Sequence, residues 1–96
     1  MARLDDSEID KRLAGMQWRR DGDAIVRDVE CKGFHSAMAL ANAVADAANE
    51  ANHHTDILVH GYKHVRLTLS THSAGGITEN DFGLAGTIDG LIADAS

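Results

Sequence analysis

The sequence predicts an α+β domain with the element order α-β-β-α-β-β-α, a four-stranded antiparallel sheet with helices packed on one face. Three observations carry this reading. Small and apolar residues from Ala37 to Ala51 recur at helical spacing, with Leu40, Val44, Ala47, Ala48 and Ala51 on one stripe. Val65, Leu67 and Leu69 alternate with His64, Arg66, Thr68 and Ser70, the period-two pattern of a strand with one buried face. The Asp21-Gly22 pair between two short runs is a two-residue hairpin signal. Antiparallel hairpins joined by helices of this length pack naturally as one sheet with helices layered on one side. The 96 residues allow a single domain over 1–96, near the small end of what a core alone can stabilise.

Taken in order, Ser7 is placed to cap a first helix, with Glu8 and Asp10 in its positive first turn and Ile9, Leu13 and Met16 on one face. Gly15 loosens its end. Gln17 to Arg20 and Ala24 to Cys31 form the first hairpin around Asp21-Gly22. Ile25, Val29 and Cys31 share a face of the second strand, but Arg27 lies between them, so the inward side is left open. Gly33-Phe34-His35-Ser36 ends that strand, and Ser36 is a good cap for the helix from about Ala37 to Ala51. Ile57 to His60 and Tyr62 to Thr71 read as two strands, or as one bent at Gly61. Gly75-Gly76 breaks the second, and Thr78-Glu79-Asn80-Asp81 is a capping-box-like start to a last helix bearing Phe82, Ala85, Ile88 and Ile92. There is no internal repeat, linker or low-complexity segment.

Composition narrows the function classes. Nine basic against fifteen acidic residues give a formal charge of −6, which argues against direct binding to nucleic acid or anionic membranes. A lone Cys31 permits neither an internal disulfide nor a thiolate metal cluster. Nothing in the sequence resembles a secretory leader or a membrane span, so a cytoplasmic setting is expected. The apolar content is rich in alanine, which requires close helix packing and favours an oligomer to bury more surface.

The chemistry gathers in Asn52-His53-His54-Thr55-Asp56 and Ser70-Thr71-His72. Three imidazoles in so small a chain are groups that titrate near neutral pH and can give or take protons. Each has a bland explanation taken singly, since histidines after a helix complement its dipole and His72 could be a surface turn residue. Asp81, in the first turn of the last helix, fits a structural capping role. Trp18 suits the core of an aromatic-poor chain, and equally the wall of a pocket for a flat heterocycle. His35, His60 and His64 receive no role.

The run from His53 and His54 through Tyr62 to His72 and Asp81, with Trp18 and the small size, resembles the signature of the pterin-4a-carbinolamine dehydratases over nearly the whole chain. It departs from that pattern twice. Thr55 stands where proline usually follows the histidine pair, and Asn49 where an acidic residue is frequent four places before it, Glu50 being one place out of register. The resemblance implies a four-stranded sheet with helices on one side and assembly into a homodimer or homotetramer. It implies loss of water from a 4a-hydroxytetrahydropterin, giving the quinonoid dihydropterin recycled to tetrahydrobiopterin. His53 and His72 are then the acid and base in unassigned order, and His54 holds and polarises the substrate. Asn52, Ser70, Thr71 and Trp18 line the pterin pocket. Proton transfers suffice, so neither a metal nor a redox cofactor is expected. The rival reading is a non-catalytic assembly or transcription-coactivator protein keeping the same fold. A histidine metal site ranks below both, because adjacent side chains diverge.

Overall fold

In the computed structural model, which describes residues 2–95, helix α1 (Asp6–Leu13) leads into strands β1 (Arg19–Asp21) and β2 (Ala24–Glu30) and helix α2 (Phe34–Glu50). Strands β3 (Asp56–His60) and β4 (His64–Leu69), a 3-10 turn (His72–Ala74) and helix α3 (Glu79–Ala95) follow. The strands form one antiparallel sheet in the order β1-β2-β4-β3. The element order and sheet are those the sequence predicts.

Register decides which residues face the helices. Ile25 pairs with Leu69, Arg27 with Leu67 and Val29 with Val65 across β2 and β4, while Ile57 and Val59 of β3 pair with Leu67 and Val65. On this face Ile25, Val65, Leu67 and Leu69 are fully buried. They meet Ala37, Leu40, Val44 and Ala48 of α2 and Leu84, Ala85 and Ile88 of α3 in one core, completed by Ile9, Trp18 and Ile77. Of the stripe the sequence predicts on α2, Leu40, Val44 and Ala48 are buried in this core, whereas Ala47 is half-buried and Ala51, past the helix end, is exposed. The opposite face is mostly polar. There Asp28 joins Arg66 and Arg19, each at 2.7 Å, and Leu58 stands 51% exposed.

Arg27 lies on the helix-facing side, which settles the point the sequence leaves open. Its guanidinium donates to Asp89 of α3 at 2.5 Å and to Gln17 Oε1 at 3.2 Å, and Asp89 also accepts from Trp18 Nε1 at 2.8 Å. A cation is tolerated beside the core because an acidic partner on α3 meets it there.

Four boundaries differ from the expectation. Asp5 rather than Ser7 caps α1, its Oδ1 accepting from the Glu8 amide at 2.8 Å, so a charge rather than a hydroxyl meets the helix dipole. Helix α2 begins at Phe34 with Gly33 as N-cap, and Ser36 falls inside its first turn. Strand β1 runs over Arg19–Asp21 because Asp21 pairs with Ala24, which leaves Gly22-Asp23 as the turn. Gly22 there takes a φ of 61°, the left-handed backbone such a turn requires. Strand β4 is shorter than Tyr62–Thr71 at both ends. Tyr62 has a φ of 56° and belongs to the turn, and Thr71 bridges Gly76 after the chain has left the ladder. Among the described residues no helix is long and apolar enough to cross a membrane.

Candidate active site

The end of α2 sets the directions of the two adjacent histidines. Asn52 has a φ of 53°, its amide donates to the Asn49 carbonyl at 3.1 Å, and the His53 amide donates to Ala48 at 2.9 Å. These two bonds around a left-handed residue make a Schellman motif, which asparagine tolerates better than most side chains. Beyond it, exposure alternates: His53 and Thr55 are partly buried, His54 and Asp56 exposed.

His53 turns to α3. Its Nε2 lies 2.5 Å from Asp81 Oδ1. The other oxygen of Asp81 accepts from Thr71 Oγ1 and from the Thr78 amide, each at 2.9 Å. Thr78 Oγ1 stands 2.9 Å from Thr71 Oγ1 and supplies the proton there, because the Thr71 hydrogen is engaged by Asp81. Asp81 is 0% exposed, so three donors replace its lost water. With Asp81 as acceptor, His53 Nε2 carries the hydrogen of this bond. One carboxylate thus ties the end of α2, the exit of β4 and the start of α3. His53 also borders a hollow of about 400 Å³ between α2 and α3, with Glu50, Glu79 and Gly83.

His54 and His72 belong to another hollow, of about 200 Å³, lined also by Asp23, Ala24, Asp56, Thr68 and Ser70. The register explains this company. Asp56 pairs with Thr68 and Thr68 with Val26, all facing away from the core. Two residues further along each strand the same face carries His54, Ser70 and Ala24. His54 and Asp56 therefore form one wall, Thr68 and Ser70 the floor, the β1–β2 turn the opposite wall, and His72 the end. Two imidazoles, two hydroxyls and two carboxylates converge here on the polar side of the sheet, a set able to exchange protons with a small polar ligand.

Comparison with known proteins gives this arrangement a context. The family model for pterin 4 alpha carbinolamine dehydratase matches residues 2–91. The chain belongs to that family. A Thermomicrobium roseum protein named as a pterin-4-alpha-carbinolamine dehydratase is 52% identical over 86 residues, covering 88% of this chain and 91% of its own. A Nocardia farcinica protein of the same name is 46% identical over 89 residues, covering 92% and 93%. Among solved structures, one described as a transcriptional coactivator/pterin dehydratase from Brucella melitensis superposes with a TM-score of 0.87 at 30% identity, covering 94% of this chain and 98% of that one. A pterin dehydratase-like protein described as a RuBisCO assembly factor shares the fold at 22% identity, with a TM-score of 0.67 over 81% of this chain and 92% of its own. The family is one of hydro-lyases.

Within this dehydratase family fold, the residues singled out from the sequence divide. His54, His72 and Ser70 come together in the smaller hollow. His53 and Thr71 are gathered around Asp81, and Thr71 is only 9% exposed. Asn52 forms the turn that ends α2 just before both histidines. Trp18, 4% exposed, sits in the core with its indole nitrogen on Asp89. Asp56 belongs to the stretch in which the sequence gathers the chemistry but receives no role there, and Asp23 is not singled out at all. Asp56 lay beside the histidine pair and would have followed from the strand alternation, whereas Asp23 is brought in by a hairpin turn that no local pattern links to the histidines. Burial pushes the Cys31 thiol up, which leaves it a poor nucleophile. Among the described residues no three His, Cys, Asp or Glu side chains converge as metal ligands would.

Proposed function

We propose that the protein catalyses loss of water from a 4a-hydroxytetrahydropterin, with His54 and His72 exchanging the protons. The observation that carries this is the pair of imidazoles lining one polar hollow in a chain of the dehydratase family. Hydroxide leaves poorly, so an acid gives a proton to the oxygen on C4a as that C–O bond breaks. A base takes the proton from N5 as the C4a–N5 double bond forms. Water and the quinonoid dihydropterin result, and the proton count balances. Imidazole serves both steps near pH 7. Ser70 and Thr68 supply hydroxyls to the substrate from the floor of the hollow.

His53 has a different part in this reading from the one its place in the motif implies. Its Nε2 is occupied by Asp81, and it fixes the backbone from which His54 projects. The product would be reduced back to a tetrahydropterin, in the cytoplasm, as part of tetrahydrobiopterin recycling. We further propose a homodimer or homotetramer, since the outer strand β3 carries Leu58 at 51% exposure and an unpaired backbone edge.

A stopped-flow assay with an enzymatically generated 4a-hydroxypterin tests the activity. Acceleration over the buffer rate is expected. A rate no faster than buffer would overturn it and favour a fold kept for assembly or coactivation, the roles named for the Brucella and RuBisCO-associated neighbours.

A further inference from the structure

We propose that Asp23, on the β1–β2 turn, recognises the 2-amino and N3–H edge of the pterin. The inference rests on the dehydration reading and adds to it the residue that selects the substrate class. A pterin is a flat bicycle whose reacting atoms, C4a and N5, lie away from its aminopyrimidine donor edge. A site that places acid and base at the first gains affinity by presenting acceptors to the second, since N–H donors bond more strongly to a charged acceptor than to a neutral one. The hollow holds two carboxylates. Asp56 sits on the same wall as His54, two residues along β3. Asp23 sits on the wall across from them.

Asp23 is also available. Among the described residues it has only a 3.7 Å contact between its Oδ1 and the guanidinium of Arg3. The Arg3 side chain in turn lies over Gly76, where a Cβ would come within 2.8 Å of it, so a glycine makes room for the arm that reaches Asp23. A carboxylate accepts two parallel N–H bonds from an aminopyrimidine edge as it does from a guanidinium. The same carboxylate repels a ligand bearing a carbonyl oxygen in place of the 2-amino group, so it discriminates as well as binds. The small volume of about 200 Å³ lies below the roughly 300–1,000 Å³ of sites that enclose drug-sized ligands, which suits a bare ring system.

The test compares 7,8-dihydropterin with 7,8-dihydrolumazine, which differs in having oxygen at position 2, by fluorescence titration of the full chain. Wild type is expected to prefer the amino compound by about tenfold or more, as hydrogen bonds to a charged group allow. Asp23→Ala should bring the two affinities within about threefold of each other, and raise KM for the hydroxypterin with kcat little changed, the signature of lost uniform binding. Asp23→Glu should restore part of the preference. Because Asp23 is an exposed turn residue, the alanine variant is expected to melt as wild type does. Retention of the full preference by Asp23→Ala, or equal wild-type affinities in an active enzyme, would overturn the assignment alone. A wild-type preference lost in Asp23→Ala but without turnover would leave the recognition standing and overturn the dehydration. Binding of neither compound together with no turnover would overturn both.

Discussion

Two clusters a few residues apart in sequence use the same kinds of side chain for different ends. Around Asp81, the carboxylate and both threonine hydroxyls have partners: the carboxylate accepts from His53, Thr71 and the Thr78 amide, and the two hydroxyls share a bond. Around His72, the hydroxyls of Thr68 and Ser70 and the carboxylate of Asp56 have no hydrogen bond or ion pair among the described residues. A saturated buried network holds secondary-structure elements together and has little left to offer a ligand. An unsaturated, open one has its hydrogen-bonding capacity still to give. In the proposed reaction, therefore, the state of a histidine's neighbours and not its identity alone marks the reacting group.

The largest expected effect separates the two clusters by rate. His72→Ala should slow dehydration by about 10²–10⁴-fold, the loss expected for removed acid or base help, while thermal melting stays at the wild-type value. His53→Ala should lower the melting temperature and slow the reaction less. Single-turnover kinetics on both variants sharpen the contrast, since a rate loss at His53 as large as at His72, with unchanged melting, would return proton transfer to His53.

Next comes stability. Asp81→Ala leaves three donors facing one another without an acceptor, and orphaned buried groups cost about 1–3 kcal/mol each. A loss of about 3 kcal/mol or more is expected in urea unfolding. Asp56→Ala, on the open side, should leave the unfolding midpoint where it is. Equal losses from the two would erase the distinction between the clusters.

The sequence made the sheet and helices legible because their signals are repetitive: three alternating apolar residues in β4 and a stripe of small residues in α2 each fix a face. Boundaries were less legible where several residue types could serve, as with Asp5 and Ser7 at α1 or Gly33 and Ser36 at α2. The motif named the histidines but not their directions, which depend on the single left-handed residue Asn52. An asparagine just past a helical stripe was the available clue. Nothing local could reveal that Asp23 would meet His54, since strand order brings them together.

A smaller effect is expected at Thr55, the position where the family pattern usually has proline. Its hydroxyl oxygen is buried without a hydrogen-bond partner. Thr55→Val should raise stability by about 1 kcal/mol by removing that unpaired group at similar volume. A fall in the melting temperature on this change would show that the hydroxyl contributes to the Asp81 side after all.

The smallest effect lies on the open face. Arg66 holds the Asp28 carboxyl below its ordinary value of 3.8, with Arg19 assisting. The folded value being depressed, this contribution is fully present above pH 3.8 and is lost as the pH falls through the lower folded value. Both side chains are about half exposed, so after screening it amounts to less than about 1 kcal/mol. Asp28→Asn should flatten the acid limb of the stability curve slightly, and added salt should have the same effect.

The backbone at the end of α2 also carries its own reporter. The His53 amide hydrogen is held on the Ala48 carbonyl, so it exchanges with deuterium only when the last turn of the helix opens. That opening frees the left-handed turn at Asn52 and lets His54 leave its wall. The exchange rate of a single amide therefore counts how often the smaller hollow loses its shape, and a ligand that needs the hollow formed must slow it.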